Sequence, residues 1–323
     1  MLSPVAEKDY PRNWSEFLGW FPSDEACSAY LEKLRWPHGF VCPACGAVAE
    51  PYRASRARLM CNACKHQTSV TAGTIFSKTR TPLRIWLAAA WYLTNQKQGV
   101  SALGLQRVLG LGSYQTAWTM LHRFRRAMVR PDRDKLKGTV EVDETYLSIS
   151  DREQPVSSIG RKSNTNKVQI IIAVEMLEPK GFGRIRLRRI DSDNTENVIG
   201  FVQEMIEPGS VVCTDGLASY RKLKDLGYLH NKIVMLGSDV PAHVSMAGVH
   251  RVAALIKRWI LGTHHGSVQP GQLDAYLDEF VFRFNRRSSG SRGLLFYRLL
   301  QQAMVTAPVT YEDVAIRKQK KTA

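Results

Sequence analysis

From residue 139 the chain runs Thr139-Val140-Glu141-Val142-Asp143-Glu144-Thr145-Tyr146. Apolar and polar residues alternate, which predicts a strand. Asp143 falls in its middle, and a charge inside an apolar strand is costly unless it is paired or binds a metal ion. Downstream, residues 167–176 predict a second strand, with Val168, Ile170, Ile171, Ile172 and Val174. Residues 183–191 predict a third, and residues 194–206 a helix. Val211-Val212-Cys213-Thr214-Asp215-Gly216 reads as a buried strand ending in a turn. Another helix, a short strand over residues 233–236 and a helix over 248–261 follow. Three strands and then alternating helix and strand predict one α/β sheet.

Upstream the period is helical. Residues 82–130 predict helices, and Pro131 ends them. Residues 101–110 and 113–126 read as helix, glycine turn, helix, with Leu105, Val108, Leu109, Ala117, Leu121 and Phe124 as the apolar seam. Tyr114, Gln115, Thr119, Arg123, Arg125 and Arg126 offer polar and basic groups. That suits a helix-turn-helix, whose second helix lies in a major groove, with Arg123 and Arg126 as DNA contacts. A structural hairpin is the alternative. Residues 135–138 read as a linker.

Further upstream, four of the six cysteines crowd into residues 42–64: Cys42-Pro-Ala-Cys45 and Cys61-Asn-Ala-Cys64. Each pair places two thiolates of one tight turn on the same ion, and two pairs complete a tetrahedron. The expectation is one structural Zn²⁺ per chain. A redox pair is the weaker reading, since no thioredoxin-like pattern surrounds the motif. Cys27 and Cys213 read as small buried hydrophobes.

The chain has 323 residues, enough for two or three domains. Charged residues are 23% and hydrophobic residues 44%, values that exclude disordered, collagen-like and coiled-coil classes. No apolar run approaches the roughly 18–20 residues that span a bilayer. Residues 1–13, with Glu7, Asp9 and two prolines, do not read as a signal peptide, so the expectation is a cytoplasmic protein with no membrane partner. Forty-five Lys and Arg against 29 Asp and Glu leave a net charge of +16. An excess of that size is the footprint of a polyanion binder.

Asp215 ends its strand before Gly216, where α/β sheets gather ligand sites. Were its strand the neighbour of the Asp143 strand, the two carboxylates would share divalent ions, as in two-metal phosphoryl transfer. On the helix that follows, His250, Ala253, Ala254 and Lys257 share one face, while Val252, Leu255, Ile256 and Trp259 form the apolar face. Lys257 is expected on a phosphate. Arg283, Arg286 and Arg287, interleaved with Phe282 and Phe284, form a further basic cluster expected on DNA.

These motifs together resemble bacterial insertion-sequence transposases of the ISXO-like group (the IS fifteen-ninety-five family), within the DDE superfamily. The resemblance runs through Trp36-Pro37, the two Cys pairs, residues 73–76, 112–118, 140–146, 214–216, 227–230 and 261–264, and ends in residues 276–287. It implies a ribonuclease H-like catalytic domain preceded by a zinc ribbon and a small helix-turn-helix-like segment. It implies Mg²⁺- or Mn²⁺-dependent strand cleavage and transfer, and recognition of terminal inverted repeats. A homo-oligomer in the synaptic complex and a nucleoid-associated location in bacterial cytoplasm follow from the same reading. The expected domains are 22–80, 82–130 and 138–300. Asp143 and Asp215 match the first two acidic positions, and His250, thirty-five residues after Asp215, stands at the third, with Lys257 seven residues on. Imidazole at that position departs from the oxygen ligands Mg²⁺ prefers. Glu279 and Asp239 are the alternative acids. A DNA-binding regulator without catalysis, and a nuclease on the same fold, are the competing functions.

Overall fold

The computed structural model describes residues 4–5, 8–55, 57–130, 133–149, 167–233 and 245–315. It divides into two units, residues 1–130 with 289–323, and residues 131–288.

In the first unit, α1 (Trp14–Trp20) and α2 (Asp24–Arg35) start on side-chain caps from Asn13 and Ser23. A three-stranded antiparallel ribbon follows: β1 (Tyr52–Ala54), β2 (Arg58–Met60) and β3 (Gln67–Ser69). Helix α3 (Leu83–Asn95) buries Trp86, Leu87, Ala88, Ala89, Ala90, Trp91 and Leu93, so it is apolar almost all round and lies at the centre. Its N-cap, Pro82, supplies no side-chain bond. Asp24 on α2 does so instead, accepting from the N–H groups of Leu83 (3.0 Å) and Arg84 (2.9 Å). Helices α4 (Ala102–Leu109) and α5 (Tyr114–Ala127) form the expected hairpin. Leu105, Ala117, Leu121 and Phe124 are buried in its seam, whereas Val108 is 56% exposed.

Residues beyond 288 depart from the expected boundary at 300. Helix α9 (Arg292–Val305) belongs to the first unit, where it packs on α2, α3 and α5. The physical reason is aromatic: Phe296 is fully buried 5.4 Å from Trp91, 5.8 Å from Phe17 and 5.9 Å from Phe21, ring centre to ring centre. Periodicity shows an apolar face on this helix but not its distant partner. A last helix, α10 (Tyr311–Val314), is held by a capping box between Thr310 and Asp313.

The second unit is built on one sheet. Strands β4 (Thr139–Ser148), β5 (Lys167–Met176) and β6 (Phe182–Ile190) pair antiparallel; β7 (Val211–Thr214) joins β4 in parallel, and β8 (Leu229–Lys232) joins β7 in parallel. The order is β6-β5-β4-β7-β8. The last strand thus precedes the expected one at 233–236, and residues 234–236 lie outside the described set. Because side chains alternate, β4 and β5 bury two opposite faces. Val140, Val142, Ile171 and Ala173 meet α6 (Thr195–Met205) and the 3-10 helix Ala218–Leu226. Ile170, Ile172 and Val174 meet α7 (Ala247–His264) and α8 (Leu273–Phe284).

Strand β6 is an edge, and residues 285–287 close it. The Asn285 side chain accepts from the Ile185 N–H (2.7 Å) and donates to the Ile185 carbonyl (3.2 Å), standing where another strand would. Arg287 donates to the carbonyls of Gly183 (3.1 Å), Phe284 (2.9 Å) and Phe182. Asn285→Ala strands a buried N–H and C=O pair, so it should destabilise the chain by about 1–3 kcal/mol. Urea denaturation reads this; a loss below about 0.5 kcal/mol, the level of an ordinary surface change, would show that the clamp contributes little.

Candidate functional site

The two cysteine turns are near copies. Gly46 N–H bonds the Cys42 carbonyl (2.9 Å) as Lys65 N–H bonds that of Cys61 (3.0 Å). Cys42 N–H bonds the Ala47 carbonyl (3.0 Å) as Cys61 N–H bonds that of His66 (2.9 Å). Gly46 and Lys65 both take positive φ, 73° and 61°. Each turn therefore aims its two sulfurs the same way. Cys42 Sγ lies 3.6 Å from Cys64 Sγ and Cys45 Sγ 3.8 Å from Cys61 Sγ, and all four sulfurs lie within 4.8 Å of one another. A zinc ion about 2.3 Å from each sulfur has tetrahedral edges of about 3.8 Å, so the tetrad fits Zn²⁺ without rearrangement. Phe40 and Leu59 pack behind Cys42 and Cys61 and are almost the whole apolar core of the ribbon.

The second cluster lies on the sheet. Strands β4 and β7 pair in register Thr139↔Val211, Val140↔Val212 and Glu141↔Cys213. Continued two residues, the register sets Asp143 level with Asp215 on one face. Asp215 starts the turn that ends β7: its carboxylate accepts from Leu217 N–H at 3.1 Å, and Gly216 takes φ +88°, which an L side chain rarely adopts. Asp143 accepts from Glu144 N–H at 2.9 Å. Helix α7 packs over this face, and the Nε2 atom of His250 is buried there without a hydrogen-bond partner. Lys257, two turns on, donates to Thr145 Oγ1 at 2.7 Å, so its ammonium stands over β4 two residues beyond Asp143.

Electrostatically this face is short of positive charge. Burial pushes the Asp143 carboxyl up to about 6, and the charge of Asp215 pushes the same way. On the opposite face of β4, burial also lifts Glu144 to about 7, against the stabilising hydrogen bond from Tyr220 and with the charges of Asp143 and Asp215 adding to the rise. Neighbouring carboxylates in a poorly solvated site are relieved by a cation. An orphaned imidazole nitrogen beside them is a ready additional donor. The residues thus fit a divalent ion, although this face is more open than the ribbon. Among the described residues, the cysteine tetrad is the only group of three or more such ligands to converge within 4.8 Å.

The expected basic contacts fall into two sets. Arg126, Lys257 and Arg287 are exposed. Arg287 and the remaining members of the expected set also make contacts within the fold. Arg123 donates to the Ile75 carbonyl (3.0 Å) beside Trp86, and Arg125, expected on the polar face, is 1% exposed. Arg283 pairs with the fully buried Glu279 (2.8 Å), which commits that alternative acid to an ion pair. Arg286 stacks 4.1 Å over Phe282 and donates to its carbonyl, while Arg287 stacks over Phe284 in the edge clamp. Phe282 and Phe284 are the platforms on which the Arg286 and Arg287 guanidinium groups stack. Asp239 lies outside the described residues.

Sequence reasoning missed three supports of the site. Glu144 accepts from the buried Tyr220 hydroxyl at 2.5 Å, on the opposite face of β4. Thr214, fully buried, bonds His230 Nε2 at 2.9 Å and accepts from Gly216 N–H at 3.1 Å, fixing the Asp215 turn. Glu141, 5% exposed, accepts from Val249 N–H at 3.0 Å. The argument that singled out Asp143 applies equally to Glu141, two residues earlier on the same strand face.

A mixed five-stranded sheet covered by helices on both faces, with a four-cysteine ribbon earlier in the chain, is the α/β architecture of a DDE-type DNA transposase. Residues 135–285 match the ISXO2-like transposase domain and residues 22–67 the transposase zinc-ribbon domain, so the chain carries both domains of this kind of insertion-sequence transposase. An uncharacterized protein in transposable element ISH50 of Halobacterium salinarum is 25% identical over 277 residues, 81% of this chain and 91% of that protein. Among solved structures, the Mos1 transposase paired-end complex with left transposon end is 14% identical over 68% of this chain and 75% of that one, with a TM-score of 0.27. The simian T-cell lymphotropic virus intasome in complex with PP2A regulatory subunit B56 gamma is 12% identical over 64% and 74%, with a TM-score of 0.32. No helix among the described residues is long and apolar enough to cross a membrane.

The ribbon geometry sets a stoichiometry. Purified protein should carry one zinc per chain, and Cys61→Ala should lose most of it, since three thiolates leave the tetrahedron open. Elemental analysis of both proteins checks this; equal, stoichiometric zinc in the two would remove the four-sulfur site.

Proposed function

We propose that this transposase binds the terminal inverted repeats of its insertion sequence and catalyses divalent-metal-dependent cleavage and transfer of DNA strands. The observation that carries the reading is the level placement of Asp143 and Asp215 on adjacent parallel strands, beneath the helix that bears the orphaned His250 Nε2. Asp143, Asp215 and His250 are the groups that would hold Mg²⁺ or Mn²⁺. Such ions, when bound, supply activation of the attacking oxygen and stabilisation of the leaving oxygen. Lys257, oriented by Thr145, takes a backbone phosphate beside the carboxylates. Arg251 and Arg258, exposed on the same helix, extend that contact along the DNA. Arg126 contributes from the outer side of α5, within the zinc-ribbon and helix-turn-helix-like part that takes the element end. The exposed Arg287 joins these cations as a phosphate contact, while Arg123, Arg283 and Arg286 are the less accessible members of the expected set. Joining two ends makes the working form a homo-oligomer, acting on DNA in the bacterial cytoplasm at the nucleoid.

Asparagine keeps the shape of aspartate and removes its charge. Asp143→Asn and Asp215→Asn should each lower cleavage of labelled element ends by orders of magnitude and leave end binding near normal. His250→Ala should lose Mg²⁺-supported activity, with partial rescue by Mn²⁺, and His250→Glu should keep or raise it, because a carboxylate oxygen suits Mg²⁺. Full strand transfer by either asparagine variant overturns the two-metal reading. Wild-type cleavage by His250→Ala in Mg²⁺ removes His250 alone.

A further inference from the structure

We propose that Glu141 is a positioning residue for the transposition chemistry: its buried carboxylate caps the first turn of α7 and thereby sets how far His250 stands from Asp143. The inference rests on the proposed roles of Asp143, Asp215 and His250.

Helix α7 has no cap of its own. Its N-cap, Met246, makes no side-chain bond, and the first N–H groups of any helix lack an internal partner. The first internal bond runs from His250 N–H to the Met246 carbonyl at 3.3 Å. One residue earlier, Val249 N–H is unpaired within the helix and donates instead to Glu141 Oε2 at 3.0 Å. A carboxylate at a helix start is also favoured by the helix dipole. This cap comes from the sheet, from the same face of β4 that carries Asp143 two residues on.

Gly248 supplies a second, independent observation. A Cβ there would lie 2.8 Å from Met176 Sδ, 2.9 Å from Glu141 Oε2 and 3.2 Å from Val174 Cγ1. The start of α7 therefore lies so close to β4 and β5 that a Cβ at 248 would make the ends of the Met176 and Glu141 side chains shift. Glu141 and Gly248 fix one end of the helix in height and in register, and His250 is the next polar side chain along it. The strand and the helix thus share one buried hydrogen bond close to the place where their metal-site residues face each other.

The test uses the full-length protein and three variants, Glu141→Ala, Glu141→Gln and Gly248→Ala. Amide hydrogen exchange over residues 247–252 reads the cap directly. Single-turnover cleavage and end-DNA affinity separate the chemical step from binding. Glu141→Ala should speed exchange at Val249 and slow cleavage about 10–100-fold, the scale of an ångström misplacement. End affinity should stay within about twofold and Glu141→Gln, which keeps an acceptor oxygen, within about threefold of wild-type cleavage. Gly248→Ala, which removes no polar group, should also slow cleavage by wedging the helix away. The proposal is overturned if Glu141→Ala cleaves at the wild-type rate, or if Glu141→Gln is as damaging as Glu141→Ala. Should Glu141→Ala not fold, wild-type cleavage by Gly248→Ala overturns it. Asp143→Asn serves as the control: full activity there removes the catalytic reading, while the exchange data still report on the cap.

Discussion

Everything at the proposed active face depends on one pairing, the parallel register of β4 with β7. A carboxylate in the middle of a long strand and another at the end of a short one become neighbours only because Glu141 stands opposite Cys213. A one-residue slip would turn Asp215 to the other face of the sheet. The register is held from both sides of the sheet. Val140, Val142 and Val212 sit in one core, under α6 and the 3-10 helix, and Ile170, Ile172 and Val174 on β5 sit in the other. The repulsion between two half-buried aspartates is thus imposed by apolar packing, which has no tolerance for the slip that would relieve it.

The polar groups around the pair divide their tasks by face. On the aspartate face, Glu141 ties down α7 and Thr145 orients Lys257. On the opposite face, Tyr220 takes up Glu144, and His230 takes up Thr214. Neither Glu144 nor Thr214 points at the proposed metal site, yet each neighbours an aspartate in sequence and fixes its backbone. Buried polar side chains confined to such mutual bonds are costly to move. They give the carboxylate pair a rigid floor.

Local sequence grammar carried much of this structure. The alternation around Asp143 and the apolar run of β5 read directly as strands, because each is a short-range pattern with a period of two. The cysteine turns read as directly, because each is a closed local geometry. Three things were not legible. Phe296 completes a core whose other members, Phe17, Phe21 and Trp91, lie some two hundred or more residues earlier, and no local period reports that. The clamp that Asn285 and Arg287 place on the edge of β6 has no local sequence signal, because its partner strand lies about a hundred residues earlier. Glu141 looked like the polar partner in an alternating strand, and only its bond to Val249 shows its use.

The arginines sharpen the lesson about charge. A net +16 is a property of the whole chain and says that the protein meets a polyanion. It does not say which cations do so. Arg123, Arg283, Arg286 and Arg287 are each engaged by carbonyls, a carboxylate or an aromatic ring of their own unit. Helix α7 offers the opposite case. Arg251, Lys257 and Arg258 are exposed on it, while Val252, Ile256 and Trp259 anchor its other side. The helix that carries His250 therefore also carries exposed cations. On the proposed roles, a phosphate drawn to Lys257 would stand beside Thr145, two residues along β4 from Asp143, and one helix whose first turn is bonded to Glu141 would join binding to chemistry.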